Sequence, residues 1–270
     1  MRRLVHLSDL HFGRARPELL DPLLAAIAGA APDLVVVSGD LTQRARNRQF
    51  AEARRFLDRL DAPWLAIPGN HDIPLGNLAS RLVDPFRRYR RWIDRDLEPR
   101  FVDAELAVVG INTVDPLAWQ RGRIGRSATR RAATALAAAG LATRIVVVHH
   151  PFEHLPGEPK TLMKHAPRGI EALTRAGADI VLSGHLHAWR AEPAALRIGE
   201  ARSLLIQAGT GLSTRLRGEE NDFNLLTILP AAVTVERFTA RADARSFRRG
   251  GAAEFLRTAE GWERRQPPGA

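Results

Sequence analysis

Short apolar runs alternate with amphipathic stretches along most of the chain. The runs cover residues 4–7, 34–37, 64–67, 106–111, 145–148 and 180–182, and are rich in valine, isoleucine and leucine. Runs this short, with no polar alternation, read as strands buried on both faces. Between them the period changes. Residues 44–60 place Phe50, Ala53, Leu57 and Leu60 on one helical face and arginines elsewhere. Ser127 is a natural N-cap for a helix over 128–139, which Gly140 ends. Strand–helix alternation of this kind predicts an α/β layered fold. Residues 203–207, 224–229 and 233–238 predict further strands joined by turns, forming a second sheet.

Two segments stand apart from this pattern. Residues 84–95, DPFRRYRRWIDR, read as a helix with Phe86, Tyr89 and Trp92 or Ile93 turned to the core. The alternative is a cap that lines a cleft with arginine. From Ala240 onward the chain is arginine-rich and ends in Gln266-Pro267-Pro268-Gly269-Ala270. Phe247, Phe255, Leu256 and Trp262 are expected to dock a tail helix there, with the very end disordered. The expected organisation is one domain over 1–239 with a small cap around 74–100, then a basic, partly disordered tail over 240–270.

Composition narrows the classes. At 270 residues, 45% apolar and 26% charged, the chain has the make-up of a globular domain with a large core. No stretch approaches the ~18 uninterrupted apolar residues of a membrane span. Ser8-Asp9 cuts the first apolar run short, so no secretory signal is expected. There is no cysteine, which excludes disulfides and thiolate chemistry and points to the cytoplasm, with a peripheral place at the inner face of the membrane as a variant. The net charge of +10 suggests anionic partners: nucleotides, nucleic acid or an anionic lipid surface. Lys160 and Lys164 are the sole lysines, and so strong an arginine bias also follows from genome composition alone.

The candidate chemistry sits where the strands end. After 4–7 come Asp9 and His11. After 34–37 come Gly39 and Asp40. After 64–67 come Gly69, Asn70, His71 and Asp72. After 145–148 come His149 and His150. After 180–182 come Gly184, His185, Leu186 and His187. In an open α/β sheet, the crevice beyond the carboxyl ends of the strands is where ligands bind. If these segments are extended, Asp9 and His11 share a side, as do His185 and His187. The donors are aspartate, asparagine and histidine without sulfur, which suits Mn, Fe, Zn, Co or Ni rather than Ca or Mg. Seven donors, counting one of His149 and His150, exceed a tetrahedral zinc site. They suit two ions about 3.5–4 Å apart that share a bridging carboxylate.

These blocks resemble the calcineurin-like metallophosphoesterases, whose pattern is D-x-H, GD, GNH followed by D or E, H, and GHxH. Here it reads Asp9-Leu10-His11, Gly39-Asp40, Gly69-Asn70-His71-Asp72, His149 and Gly184-His185-Leu186-His187, in order over 9–187. The resemblance implies a four-layer αββα sandwich of two mixed sheets flanked by helices. It also implies a site in which Asp9, His11 and His187 hold one metal, Asp40 bridges, and Asn70, His149 and His185 hold the second. The ions would be divalent or mixed-valence, Mn and/or Fe first. His149 is preferred to His150 by the family habit of a histidine, an aromatic or histidine, then proline. His71 would donate to the substrate phosphate or the leaving oxygen, with Asp72 orienting its other ring nitrogen. The implied reaction is phosphodiester hydrolysis by a metal-bridging hydroxide.

The chain is most similar to the small bacterial class III cyclic-nucleotide phosphodiesterase branch, which implies a small nucleotide-like phosphodiester, a 3′,5′-cyclic nucleotide, as substrate. The sequence leaves the oligomeric state open, with a dimer as one expectation. Glycerophosphodiesterases and UDP-2,3-diacylglucosamine pyrophosphohydrolases are the rival branches. A non-catalytic binding scaffold is the alternative of another class. His154, Arg215 and Arg217 are candidate substrate contacts on the rim, whereas His6 reads as a packed strand histidine.

Overall fold

Each central strand is apolar on both faces because each face packs against a different layer. The protein is described here from a computed structural model, in residues 1–76, 78–140, 142–154, 158, 160–197, 202–259 and 261–265. One sheet has the order β13 (Gly261–Arg264), β12 (Phe247–Thr258), β11 (Ala232–Ala240), β10 (Asp222–Leu229), β1 (Arg2–Leu7), β2 (Leu34–Val37), β3 (Trp64–Ala66). The other has the order β4 (Arg100–Val102), β5 (Leu106–Gly110), β6 (Thr143–Val147), β7 (Ile180–Ser183), β9 (Leu204–Gln207), β8 (Arg190–Pro193). Both are mixed. β1, β2 and β3 run parallel while β10 pairs antiparallel with β1. β5, β6, β7 and β9 run parallel while β4 and β8 are antiparallel edges.

Side chains sort by parity, as the two-residue period of a strand requires. Leu34 and Val36 of β2 and Ile145 and Val147 of β6 enter the core between the sheets. Val35 and Val37 face a second core under α1 (Leu20–Ala30), α2 (Asn47–Leu57) and α4 (Arg87–Trp92). Val146 and Val148 face a third, under α5 (Arg126–Ala137) and α6 (Ala166–Arg175). Three stacked cores make four layers, the αββα sandwich that the resemblance implies and a form of the α/β layered fold that the strand–helix alternation predicts. The expected strands appear within a residue or two of their bounds.

Three expectations are corrected. The chain after Ala240 is not a tail with a docked helix. It continues the first sheet as β12 and β13, with β12 paired to β11 through Val233↔Phe255 and Ala232↔Leu256. Gly250 and Gly251 disfavour a helix there, and a strand lets Phe255 and Trp262 enter the core between the sheets. Residues 266–270, expected to be disordered, lie outside the described residues. Ser127 does not cap α5. The helix begins at Arg126 after Gly125 and has no side-chain cap. The strands from 203 onward do not form one separate sheet: β9 joins the second sheet, and β10 and β11 the first.

In the cap region the core-facing reading of 84–95 holds. Tyr89 and Ile93 pack with Phe50 and its neighbours. Phe86 joins Ile73 and Val114 in a small satellite cluster. A short helix, α3 (Leu78–Val83), precedes α4.

If the last strands belong to the core, Phe255→Ala lowers the unfolding free energy by about 3–5 kcal/mol. Leu256→Ala, next to it but 38% exposed, changes it by less than about 1 kcal/mol. Urea denaturation distinguishes the two. Equal, small effects would restore the tail reading.

Candidate metal centre

Both sheets end at the same rim, and their loops are stitched to one another by backbone hydrogen bonds. Asp9 N donates to Gly39 O at 3.1 Å, His11 N to Asp40 O at 2.9 Å and Gly184 N to His149 O at 3.1 Å. The first sheet thus delivers Asp9 and His11 from β1, Asp40 from β2, and Asn70, His71 and Asp72 from β3. The second delivers His149 and His150 from β6, and His185 and His187 from β7. A contact across the sheets, His185 N to Asp9 Oδ2 at 2.9 Å, closes the cluster.

The loops reach the site by a route that the extended-segment argument did not foresee. Asp9, His11, Asp40, His185 and His187 all have positive φ, between 47° and 72°. Asp and His tolerate this left-handed region better than most residues, at a cost of order 1–3 kcal/mol each. Asp9 and His11 do face one centre, but by two left-handed turns rather than by strand alternation. Gly39, at φ +101°, supplies the turn before Asp40. Gly69 and Gly184 serve close approach instead. A Cβ on Gly69 would lie 2.2 Å from Asp40 Oδ1, and one on Gly184 1.8 Å from Ser8 Oγ.

Each carboxylate is held by one oxygen and presents the other. Asp9 Oδ2 accepts from Ser8 Oγ at 2.6 Å and from His185 N. Its Oδ1 has no hydrogen-bond partner and lies 3.1 Å from His187 Nε2 and 3.4 Å from His11 Nε2. Asp40 Oδ1 accepts from His71 N at 2.7 Å. Its Oδ2 points between the two halves, 3.7 Å from His11 Nε2 and 3.4 Å from His149 Nε2. His149 Nε2 in turn is 3.2 Å from Asn70 Oδ1. The donor atoms form overlapping groups, each within 4.8 Å: Asp9 with His11 and His187, Asp9 with Asp40 and His149, and His149 with His150 and His185.

Outer hydrogen bonds fix the imidazole tautomers. His149 Nδ1 donates to Ser38 O and His187 Nδ1 to Arg215 O, both at 2.8 Å, which turns each Nε2 to the centre. His150 is committed elsewhere: Nε2 donates to Gln120 O at 3.0 Å, and Nδ1 accepts from Thr113 Oγ1 at 2.9 Å. His6 bonds Ser38 Oγ at 2.9 Å, and burial lowers it to about 3, so it is a neutral packed histidine.

Electrostatically the cluster lacks positive charge. Burial by itself would raise Asp9, but His187, His11 and His149 outweigh it and hold the carboxyl well below the usual range. Burial likewise opposes the ionised form of Asp40, and His149, His71 and His11 overcome it. Burial works against a charged His149 too, yet the Asp40 and Asp9 carboxylates raise it to about 9. A histidine drawn to take a proton by two carboxylates, in a cluster where Asp9 Oδ1 is shielded from water and has no hydrogen-bond partner, marks a cavity that calls for cations. The donor set fits transition-metal ions.

Asp72 does not orient His71, contrary to expectation. Its carboxylate accepts from Gly69 N, Leu41 N, Thr42 N and Thr42 Oγ1 at 2.8–3.1 Å and so ties the Asp40 loop to the Asn70 loop. The His71 ring is held by Gln43, whose backbone oxygen accepts from Nδ1 at 2.9 Å. On the other side Arg215 Nη1 donates to His71 Nε2 at 3.0 Å, so this rim candidate does reach the site. Arg217 is exposed. His154 is half-buried in the loop after β6 and makes no hydrogen bond to the cluster among the described residues.

Sequence reasoning missed Lys160. Its Nζ donates to His185 O at 2.9 Å, and burial, with Arg217 next, lowers it to about 8. The one signal was its being a lysine in an arginine-dominated chain. Ser8 and Gln43 gave no signal, since their roles depend on the turns around them.

Asp72→Ala would strand three backbone amides, those of Leu41, Thr42 and Gly69. It should lower the unfolding free energy by about 3 kcal/mol or more, measured by urea denaturation. Unchanged stability with slower turnover would instead reinstate Asp72 as the partner of His71.

Residues 2–189 match the calcineurin-like phosphoesterase family. The chain is 32% identical over 170 residues to a glycerophosphodiester phosphodiesterase of Enterobacter lignolyticus, covering 55% of this chain and 56% of that protein. It is 26% identical over 205 residues to a probable cyclic nucleotide phosphodiesterase of Synechococcus, covering 68% and 72%. The match thus spans little more than half the length of the first relative. Among solved structures, a purple acid phosphatase from yellow lupin (Lupinus luteus) superposes with a TM-score of 0.69 over 94% of this chain and 53% of that one, at 14% identity. With the family's motif residues gathered at one rim of two facing mixed sheets, this chain belongs to the calcineurin-like phosphoesterase family.

Proposed function

We propose that the protein is a metal-dependent phosphodiesterase. One observation carries the reading: Asp40 Oδ2 stands between two nitrogen-and-oxygen sets, His11 on one side and His149 on the other. In this reading Asp9, His11 and His187 hold one cation, and Asn70, His149 and His185 hold the other. Asp40 is shared, and His149 rather than His150 is the ligand because both ring nitrogens of His150 are engaged. Mn and Fe suit the donors best, with Zn, Co or Ni as substitutes. Cations bound there would supply water activation at neutral pH and positive charge against the phosphate oxygens.

The protein's own residues do the rest. Gln43 O keeps the His71 proton on Nδ1 and so leaves Nε2 facing Arg215. A phosphodiester draws the Arg215 guanidinium onto its own oxygens, the geometry this group favours. His71 Nε2, unprotonated and released from Arg215, then faces the ester oxygen, where it takes up the proton given off by the attacking water and passes it to the departing alkoxide. Lys160, on the His185 side, places a second cation near the phosphate, and Arg217 adds a third at the rim. The loops exclude bulk water, because every proposed metal ligand is buried.

The substrate is read as a small phosphodiester. The named relatives act on glycerophosphodiesters or, as a probable activity, on cyclic nucleotides, and the shared chemistry is an ester flanked by two carbon substituents. A 3′,5′-cyclic nucleotide is the leading candidate.

With bis-p-nitrophenyl phosphate and Mn²⁺, the protein should turn over. His71→Ala should retain both ions and lose about 10²–10⁴ in kcat. Asp40→Ala should lose metal, read by elemental analysis; full metal occupancy in Asp40→Ala would refute the shared ligand. Lys160→Met should raise KM about tenfold with metal content unchanged, the loss of one charged hydrogen bond. No turnover with any divalent metal would favour a binding scaffold. Comparing cyclic AMP with glycerophosphodiesters then separates the substrate candidates.

A further inference from the structure

Four exposed apolar side chains lie on two segments that touch. Leu82 and Val83, at the end of α3, are 57% and 86% exposed, and Leu117 and Trp119, in the loop after β5, are 78% and 62% exposed. Arg81 joins the segments. Its Nε donates to Pro116 O at 2.6 Å and its Nη2 to Ala118 O, and its guanidinium lies over the Trp119 ring, 5.9 Å from the centroid. Nη1 points to Pro74 O at 3.5 Å. With its donors spent on carbonyls, Arg81 acts as a clip that holds the segment carrying Leu82 and Val83 to the one carrying Leu117 and Trp119. Exposed apolar patches mark contact surfaces.

The same loop leads directly into the metal centre. Gln120 O accepts from His150 Nε2, and Gly122 lies so close to His150 that a Cβ there would sit 2.3 Å from the ring. The His150 ring packs 4.9 Å from His149 and 4.6 Å from His185. The loop that carries Leu117 and Trp119 therefore borders the candidate metal centre.

Its surroundings are positive. Val83 lines a cleft together with Arg87, Arg88 and Arg91. Neither Arg87 nor Arg91 has an ion-pair partner among the described residues. The nearby acids are already used: Asp84 pairs with Arg90 at 2.9 Å, and Asp115 is buried between Lys164 at 3.4 Å and Arg123 at 3.8 Å. A second copy docking by a two-fold contact would bring the same arginines toward one another, which like-charge repulsion opposes. An anionic bilayer meets both features. Apolar tips and a tryptophan enter the interfacial zone while arginines reach lipid phosphates. No helix among the described residues is long and apolar enough to cross a membrane, so the contact is peripheral.

We propose that Leu82, Val83, Leu117 and Trp119, with Arg87 and Arg91 beside them, dock the protein on an anionic lipid surface and set its cleft at the level of the headgroups. This goes beyond the phosphodiesterase reading and does not depend on it.

The test is co-sedimentation of the full chain with vesicles of phosphatidylcholine mixed with phosphatidylglycerol, against phosphatidylcholine alone. The wild type should sediment with the anionic vesicles and be released by salt. The quadruple variant Leu82→Ser, Val83→Ser, Leu117→Ser, Trp119→Ser should bind at least about tenfold more weakly, with its melting temperature unchanged. Arg87→Glu with Arg91→Glu should weaken binding in the same direction. Trp119→Phe should remove most of the fluorescence blue shift seen on binding, although the chain has five tryptophans. Failure to sediment, or equal sedimentation of wild type and serine variant, overturns the proposal. So does a wild-type dimer in analytical ultracentrifugation that the serine variant converts to monomer, which would make the patch a subunit interface.

Discussion

Two carboxylates without water are the constraint on which this structure depends. Asp9 and Asp40 are 0% and 1% exposed and lie among imidazoles rather than beside arginine or lysine. An unpaired buried charge costs several kcal/mol. Hydrogen bonds from Ser8 and from the backbone of His71 and His185 compensate one oxygen of each. The other oxygen of each is left facing inward. The fold thus stores an electrostatic deficit at the one place where both sheets end, and bound cations would relieve it.

Holding that deficit in place takes the rest of the molecule. Five of the metal-binding candidates sit in left-handed backbone, a conformation that persists only when its surroundings over-determine it. Here the surroundings are the two parallel strand sets, anchored by apolar cores on both faces, and the Asp72 carboxylate, which binds three backbone amides and a hydroxyl of two separate loops. The sandwich therefore acts as a rigid frame for a strained rim. Arg215 and Lys160, the proposed phosphate contacts, are half-buried and stand further out than the buried candidate ligands.

Much of this was legible in the sequence. Runs such as 34–37 and 145–148 have no polar face, so they had to be central strands, and the ligand types at their ends followed in order. What escaped depends on three-dimensional approach. The left-handed turns at Asp9 and His187 look, in sequence, like the extended segments they replace. Asp72 sits next to His71 in the chain, yet its carboxylate is drawn to amides of the Asp40 loop, about thirty residues away. The strands β12 and β13 carry a glycine pair and a dense arginine face, and their apolar positions, Phe255 and Trp262, are too sparse to display a period. Lys160 lies in a stretch of sequence with no hydrophobic period to single it out.

The most direct measurement is anomalous scattering at the manganese edge from a crystal grown with that metal. The account predicts two peaks, one beside Asp9, His11 and His187 and one beside Asn70, His149 and His185, with the Asp40 carboxylate between them. A single peak, or ions bound away from Asp40, would contradict it.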